Sequence, residues 1–180
     1  MTNPENTPKT PGCDVIVALD VPEREQATHI LDRLGDRPVR TKLGLQLFAR
    51  HGPPLIETIA YRGCKVFLDL KLHDIPNTVA HAVRSLAHWP IELLTLHATG
   101  GPAMIRAACQ ARDEVNPHLK LLAVTVLTSM DQEQMDAVGL KGSPGEAAQR
   151  LAGTALSEGA DGIVCSPLEA PAMRERFGDD

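Results

Sequence analysis

One pattern recurs along the chain: a short apolar, β-branched run, then a polar loop, then a stretch whose apolar positions return at helical spacing. VIVALD (15–20) precedes PEREQATHILDRLG, RTKLGL (40–45) precedes QLFARHGPPLIETIAYRG, and CKVFLDLK (64–71) precedes IPNTVAHAVRSLAHW. LLTLHA (93–98) precedes GGPAMIRAACQARDEV, LKLLAVTVL (119–127) precedes SPGEAAQRLAGTALSEG, and GIVCS (162–166) precedes PLEAPAMRERFG. Six strand–helix units in succession predict an α/β fold built on a parallel sheet.

Two architectures produce this rhythm, a (β/α)8 TIM-type barrel and an open doubly wound sheet. The dinucleotide-binding form of the second wants G-x-G-x-x-G after its first strand, whereas ALDVPE offers no glycine there. Polar residues instead close nearly every strand: Asp20, Lys42, Asp69 with Lys71, His97, Thr128 and Ser166. Chemistry drawn from the C-terminal ends of many strands is a barrel's arrangement. The expectation is therefore a barrel-type catalytic domain over residues 13–180 with about six of its units, behind a disordered, polar and Pro-rich leader at 1–12. A full barrel takes about 250 residues. The chain stops on RERFGDD after the sixth helix, so either it is a fragment or its last two units are naturally lacking.

Strand three carries the most informative stretch, FLDLKLHDIPNT (67–78). Alternation puts Phe67, Asp69 and Lys71 on one face and Val66, Leu68, Leu70 and Leu72 on the other. The leucines then pack under helices while the charged pair points inward at the mouth. Lys42, one strand earlier, can sit beside Asp69, giving Lys42–Asp69–Lys71 with alternating sign, in which each charge offsets its neighbours. Asp74 lies beyond the strand, where its loop can carry it away from its own pocket.

Composition narrows the function. A chain of 180 residues with 43% hydrophobic and 23% charged residues supports a core, and net charge −5 without a basic run argues against a nucleic-acid surface. Only 3% are aromatic, too few for base-stacking platforms. No apolar run reaches the roughly 20 residues of a membrane span, and the N-terminus has no signal-peptide core. The four cysteines, at 13, 64, 109 and 165, form no C-x-x-C pair and read as free thiols, buried at Cys64 and Cys165, in a reducing cytoplasm. His97 reads as a core histidine or a site member, and His73 as a loop residue. His73 and His81 lack a third ligand, so no zinc site is expected. GGPAMI (100–105) reads as a plain helix start or, second, a phosphate cradle. The polar segment 128–146 reads as a lid or as a connector with a short helix.

VIVALD, KLGLQLF, FLDLKLHDIPNT, LHATGGPAMI and AVTVLTSM resemble the successive signatures of the orotidine 5′-phosphate decarboxylase family, from about Cys13 to the last residue. DLKLHDIPNT is the specific part, because related barrels share only D-x-K-x-x-D. The resemblance implies decarboxylation of orotidine 5′-phosphate to UMP in de novo pyrimidine biosynthesis, without metal or cofactor, by a cytoplasmic homodimer with shared active sites. It implies that Asp20 bonds the ribose, that Lys42 bridges a ribose hydroxyl and Asp69, that Asp69 lies near the substrate carboxylate, and that Lys71 donates the proton. Asp74, with Ile75 and Thr78, then reaches the neighbouring subunit's site, and Thr128 or Ser129 contacts the pyrimidine. The family's phosphate grip, an arginine and backbone amides of the seventh and eighth units, has no counterpart here.

Loss of CO2 from pyrimidine carbon 6 leaves a carbanion with no π system to accept it. A cation already placed beside that carbon can stabilise the charge and deliver a proton. Two alternatives stand beside this reading. One is a metal-dependent sugar-phosphate lyase on the same scaffold, using D-x-K-x-x-D to hold Mg²⁺ beside an enediolate. The other is an inactive truncated fragment.

Overall fold

The computed structural model describes residues 14–35 and 39–178. The leader expected at 1–12 lies outside the described residues. Six strands, β1 (Ile16–Ala18), β2 (Arg40–Gly44), β3 (Lys65–Leu72), β4 (Leu93–His97), β5 (Lys120–Val124) and β6 (Gly162–Val164), form one sheet. They lie side by side in chain order, and every neighbouring pair is parallel. Most strands are shorter than the apolar runs that signalled them; β2 and β4, for example, give way to helix at Leu45 and to a 3₁₀ turn at Ala98.

The helices are α1 (Arg24–Leu34), α2 (Leu45–His51), α3 (Pro54–Tyr61), α4 (Pro76–Leu86), α5 (Gly101–Val115), α6 (Gln132–Ala137), α7 (Pro144–Ser157) and α8 (Ala170–Phe177). The helical stretch after strand two divides at Gly52-Pro53. Gly52 takes φ +64 at the end of α2, a left-handed position glycine tolerates, and Pro54 opens α3 where its missing N–H costs nothing. Segment 128–146 is a connector built on a short helix. Asp131 and Gln134 form a capping box at the start of α6, and Met135 is fully buried in a small cluster with Val126, Ala147, Ala148, Ala152 and Met173.

The two sheet faces differ. On the helix-covered face Leu43, Leu68, Leu94, Leu96, Leu121 and Ala123 are all 0% exposed. On the concave face Leu93, Leu122 and Val164 are only half-buried. The sheet is a curled half-barrel: it bends as a closed barrel does, but its interior is not filled by layers of side chains from all round. No helix among the described residues is long and apolar enough to cross a membrane.

Charged residues bind the N-terminal strand ends together. Glu92 accepts hydrogen bonds from Arg40 Nε (2.7 Å) and Nη2 (2.9 Å) and from Lys65 Nζ (3.3 Å), and Arg40 also pairs with Asp14. Arg112, buried on α5, pairs with Asp161 and donates to the carbonyls of Leu119 (3.2 Å) and Gly159 (3.4 Å). Asp161 also accepts from Lys120 Nζ (3.0 Å) and the Leu121 N–H (2.9 Å).

Candidate active site

The opposite, C-terminal rim carries the other charges. Pairing of Lys42 with Phe67 and of Gly44 with Asp69 places Lys42 and Asp69 on the same concave face. Lys42 Nζ lies 3.0 Å from Asp20 Oδ1 and 3.6 Å from Asp69 Oδ2. Lys71 Nζ donates to both Asp69 oxygens, at 2.9 and 2.8 Å. The result is a chain Asp20–Lys42–Asp69–Lys71 of alternating sign. It lines a cavity of about 200 Å³ with Leu19, Val21, Gly44, Leu45, Gln46 and Leu47.

Simple alternation does not by itself place Lys71. Leu68 pairs with Leu94, but Leu72 pairs with Leu96, so three residues of β3 stand opposite the single Thr95. At this shift Lys71 adopts φ +53, and among the described residues it is the only non-glycine with positive φ. Thr95, 0% exposed, fills the gap. Its hydroxyl donates to Asp69 Oδ1 (2.9 Å) and accepts the Lys71 backbone N–H (2.9 Å). Sequence reasoning missed Thr95. The available signal was a threonine inside the apolar run LLTLHA, since a buried hydroxyl needs a partner.

Asp69 is 8% exposed. Burial alone would push its carboxyl up. Hydrogen bonds from Lys71 and Thr95, with the charges of Lys71 and Lys42, outweigh that and hold it below the ordinary value. A carboxylate already engaged by two ammonium groups and a hydroxyl is a poor ligand for Mg²⁺, which takes oxygen donors, so this donor set does not fit the metal-lyase reading. His97 is half-buried, and burial, then His73 and Lys71, push its pKa down. Its ring lies 5.4 Å from that of His73, a loop residue exposed to solvent.

GGPAMI (100–105) starts on the last residue of a 3₁₀ turn, Ala98–Gly100, and runs directly into α5. A Cβ at Gly100 would fall 2.1 Å from Met104 Sδ and 3.3 Å from His73 Cδ2, so this helix start is packed tightly against the loop after β3. Of the other expected site residues, Asp74, Ile75 and Thr78 are exposed, with Asp74 Oδ1 accepting the Ile75 N–H at 2.7 Å. Thr128 and Ser129 sit in an exposed turn after β5. None of these five residues lines the cavity of the charge chain. Cys64 and Cys109 are buried free thiols, and burial pushes the Cys109 thiol up to about 11. Cys165 is only half-buried, a correction explained by its place just past the edge strand β6.

A curled parallel sheet with a chain of alternating charges lining a cavity at its C-terminal strand ends defines an enzyme of the (β/α)-barrel type. Residues 14–180 match the model of the orotidine 5′-phosphate decarboxylase / HUMPS family, and the chain belongs to that family. It is 48% identical over 164 residues to an orotidine 5′-phosphate decarboxylase of Halorhodospira halophila, covering 91% of this chain and 70% of that protein. The corresponding protein of Nitrosospira multiformis is 46% identical over 92% of this chain and 69% of its own length. The crystal structure of orotidine 5′-phosphate decarboxylase from Lactobacillus acidophilus superposes with a TM-score of 0.86 at 42% identity, covering 93% of this chain and 77% of that one. An uncharacterized conserved protein from Geobacillus kaustophilus gives 0.87 at 37% identity, over 91% and 78% of the two chains.

Proposed function

We infer that this chain is a carboxy-lyase that converts orotidine 5′-phosphate to UMP in pyrimidine biosynthesis. The observation that carries the reading is the Lys71 ammonium, held by both oxygens of a buried Asp69 with Lys42 on its far side. With the pyrimidine over this rim, the bond from carbon 6 to the carboxylate breaks and the electron pair stays on carbon 6. Lys71 stabilises that charge and gives a proton from Nζ to the same carbon, then regains one from water. Asp69 orients the ammonium, and its own negative charge faces the departing carboxylate. Asp20 and Lys42 take the ribose hydroxyls, and Thr128 or Ser129 the pyrimidine.

Asp74, Ile75 and Thr78 complete the site of a second subunit in a cytoplasmic homodimer. Their exposure in a single protomer supports this. The test of the chemistry is UMP formation and CO2 release by the purified protein with and without EDTA. Turnover unchanged by the chelator is expected, and turnover abolished by it would overturn the reading. The test of sharing mixes Lys71→Ala and Asp74→Ala dimers after unfolding. In mixed dimers one site carries both lesions and the other carries neither, so substantial activity returns. No recovery, with exchange confirmed by mass, would exclude a shared site.

A further inference from the structure

We propose that Thr95 is a positioning residue for this reaction, its hydroxyl clamped between the Asp69 carboxylate and the Lys71 backbone and fixing the geometry of that pair. The inference rests on the decarboxylase reading for its kinetic consequence but not for its structural one.

In an unbroken parallel ladder the Lys71 N–H, in phase with that of Lys65, which bonds the Val39 carbonyl, would point toward β2. Between Leu68 and Leu72 the register shifts, and the Thr95 hydroxyl takes that N–H instead, at 2.9 Å. A hydroxyl has one proton and two lone pairs. With its proton committed to Asp69 Oδ1, its oxygen receives Lys71 N–H, so one fully buried group sets both the rotamer of the carboxylate and the backbone of the lysine. The backbone matters because Lys71 sits at φ +53, a conformation that persists in a lysine only where its surroundings over-determine it. Without the hydroxyl, Lys71 is free to relax toward negative φ. That swings its Cβ, and with it Nζ, away from Asp69 and the reacting carbon. A threonine that merely filled core volume would be replaced by valine without consequence.

The experiment compares Thr95→Val, which keeps shape and loses the hydroxyl, with Thr95→Ser, which keeps the hydroxyl and loses the methyl. In Thr95→Val kcat is expected to fall roughly 10²-fold, the loss typical of a small misplacement of reacting groups, with KM little changed. Thr95→Ser should recover most of kcat. A second readout needs no substrate: the Asp69 carboxyl is titrated by carbon NMR in each free protein. Lys42 on β2, Lys71 on its own strand and His97 on β4 face this group, and all three remain in both variants. The Thr95 hydrogen bond lowers the Asp69 pKa, so Thr95→Val should titrate at higher pH than the unsubstituted protein, and Thr95→Ser should not. If the valine variant fails to fold, Thr95→Ala replaces it in both measurements. Equal Asp69 titrations in the hydroxyl-free and serine variants, or equal losses of kcat in both, would overturn the proposal. Should the unsubstituted protein show no turnover, the decarboxylase reading fails while the titration still decides the role of Thr95.

Discussion

The two ends of this half-barrel hold nearly the same charges. At the base, Asp14, Arg40, Glu92 and Lys65 alternate in sign across the starts of β1 to β4. At the rim, Asp20, Lys42, Asp69 and Lys71 do the same. The base even borders a larger hollow, about 410 Å³ lined by Asp14, Val15, Val39, Arg40 and Lys65, against about 200 Å³ at the rim. Charge pattern and cavity size therefore do not separate a structural cluster from a chemical one. The backbone does. At the base the ladder is regular: Arg40 pairs with Lys65, the Glu92 N–H reaches Val66 O and the Lys120 N–H reaches Glu92 O. At the rim the ladder breaks, one lysine is held at positive φ, and a buried hydroxyl replaces a backbone acceptor. Irregularity maintained by specific side-chain bonds sets the rim, where the chemistry is proposed, apart from the base.

The sharpest way to break this comparison is to exchange lesions between the ends. Lys71→Ala should lower turnover by about 10³-fold or more, since it removes the proposed proton donor and its cation, while the thermal midpoint stays near that of the parent. Lys65→Ala at the base should leave turnover unchanged and stability within roughly 0.5 kcal/mol. Steady-state kinetics and thermal melts of both variants check this; a Lys71→Ala protein with near-normal turnover would erase the distinction.

Next in size is the buried base pair. Asp161→Asn leaves the Arg112 guanidinium, itself 7% exposed, short of a charge, and should cost about 3 kcal/mol of stability without altering kcat. Its pH dependence has a definite sign. Burial pushes the Asp161 carboxyl up, but bonds from Leu121, Lys120 and Arg112 bring it below its ordinary value. Its stabilisation is therefore present above the unfolded carboxylate pKa of about 3.9 and is lost as pH falls through the lower folded value. Urea unfolding at neutral pH and in strong acid should show the gap between parent and variant closing in acid. A gap that widened there would mean the ion pair does not carry the effect.

The smallest expected effect is Glu92→Gln. Its partners Arg40 and Lys65 are partly exposed, so the loss should be about 1 kcal/mol, again with kcat preserved. Urea midpoints measure it, and any fall in turnover would show that base and rim are coupled through β3.

Much of this molecule was legible in its sequence. Six units appeared because strand and helix periods are local patterns, repeating within a few residues. The Asp69–Lys71 pair was visible for the same reason, two positions apart in an apolar run. The resemblance carried by VIVALD, KLGLQLF, FLDLKLHDIPNT, LHATGGPAMI and AVTVLTSM pointed to the family whose model the chain matches. What the sequence could not determine depended on register between strands. Thr95 meets Asp69 across 26 positions of chain, and nothing local announces that β3 will spend three residues opposite one of β4. The same holds for which polar strand ends converge: Asp20 and Lys42 reach the cavity, while Thr128 and Ser129 stay in an exposed turn. A side chain's face follows from its own strand's alternation, but its partner follows from how neighbouring strands slide against one another, and that is decided only when the helices and the sheet pack together.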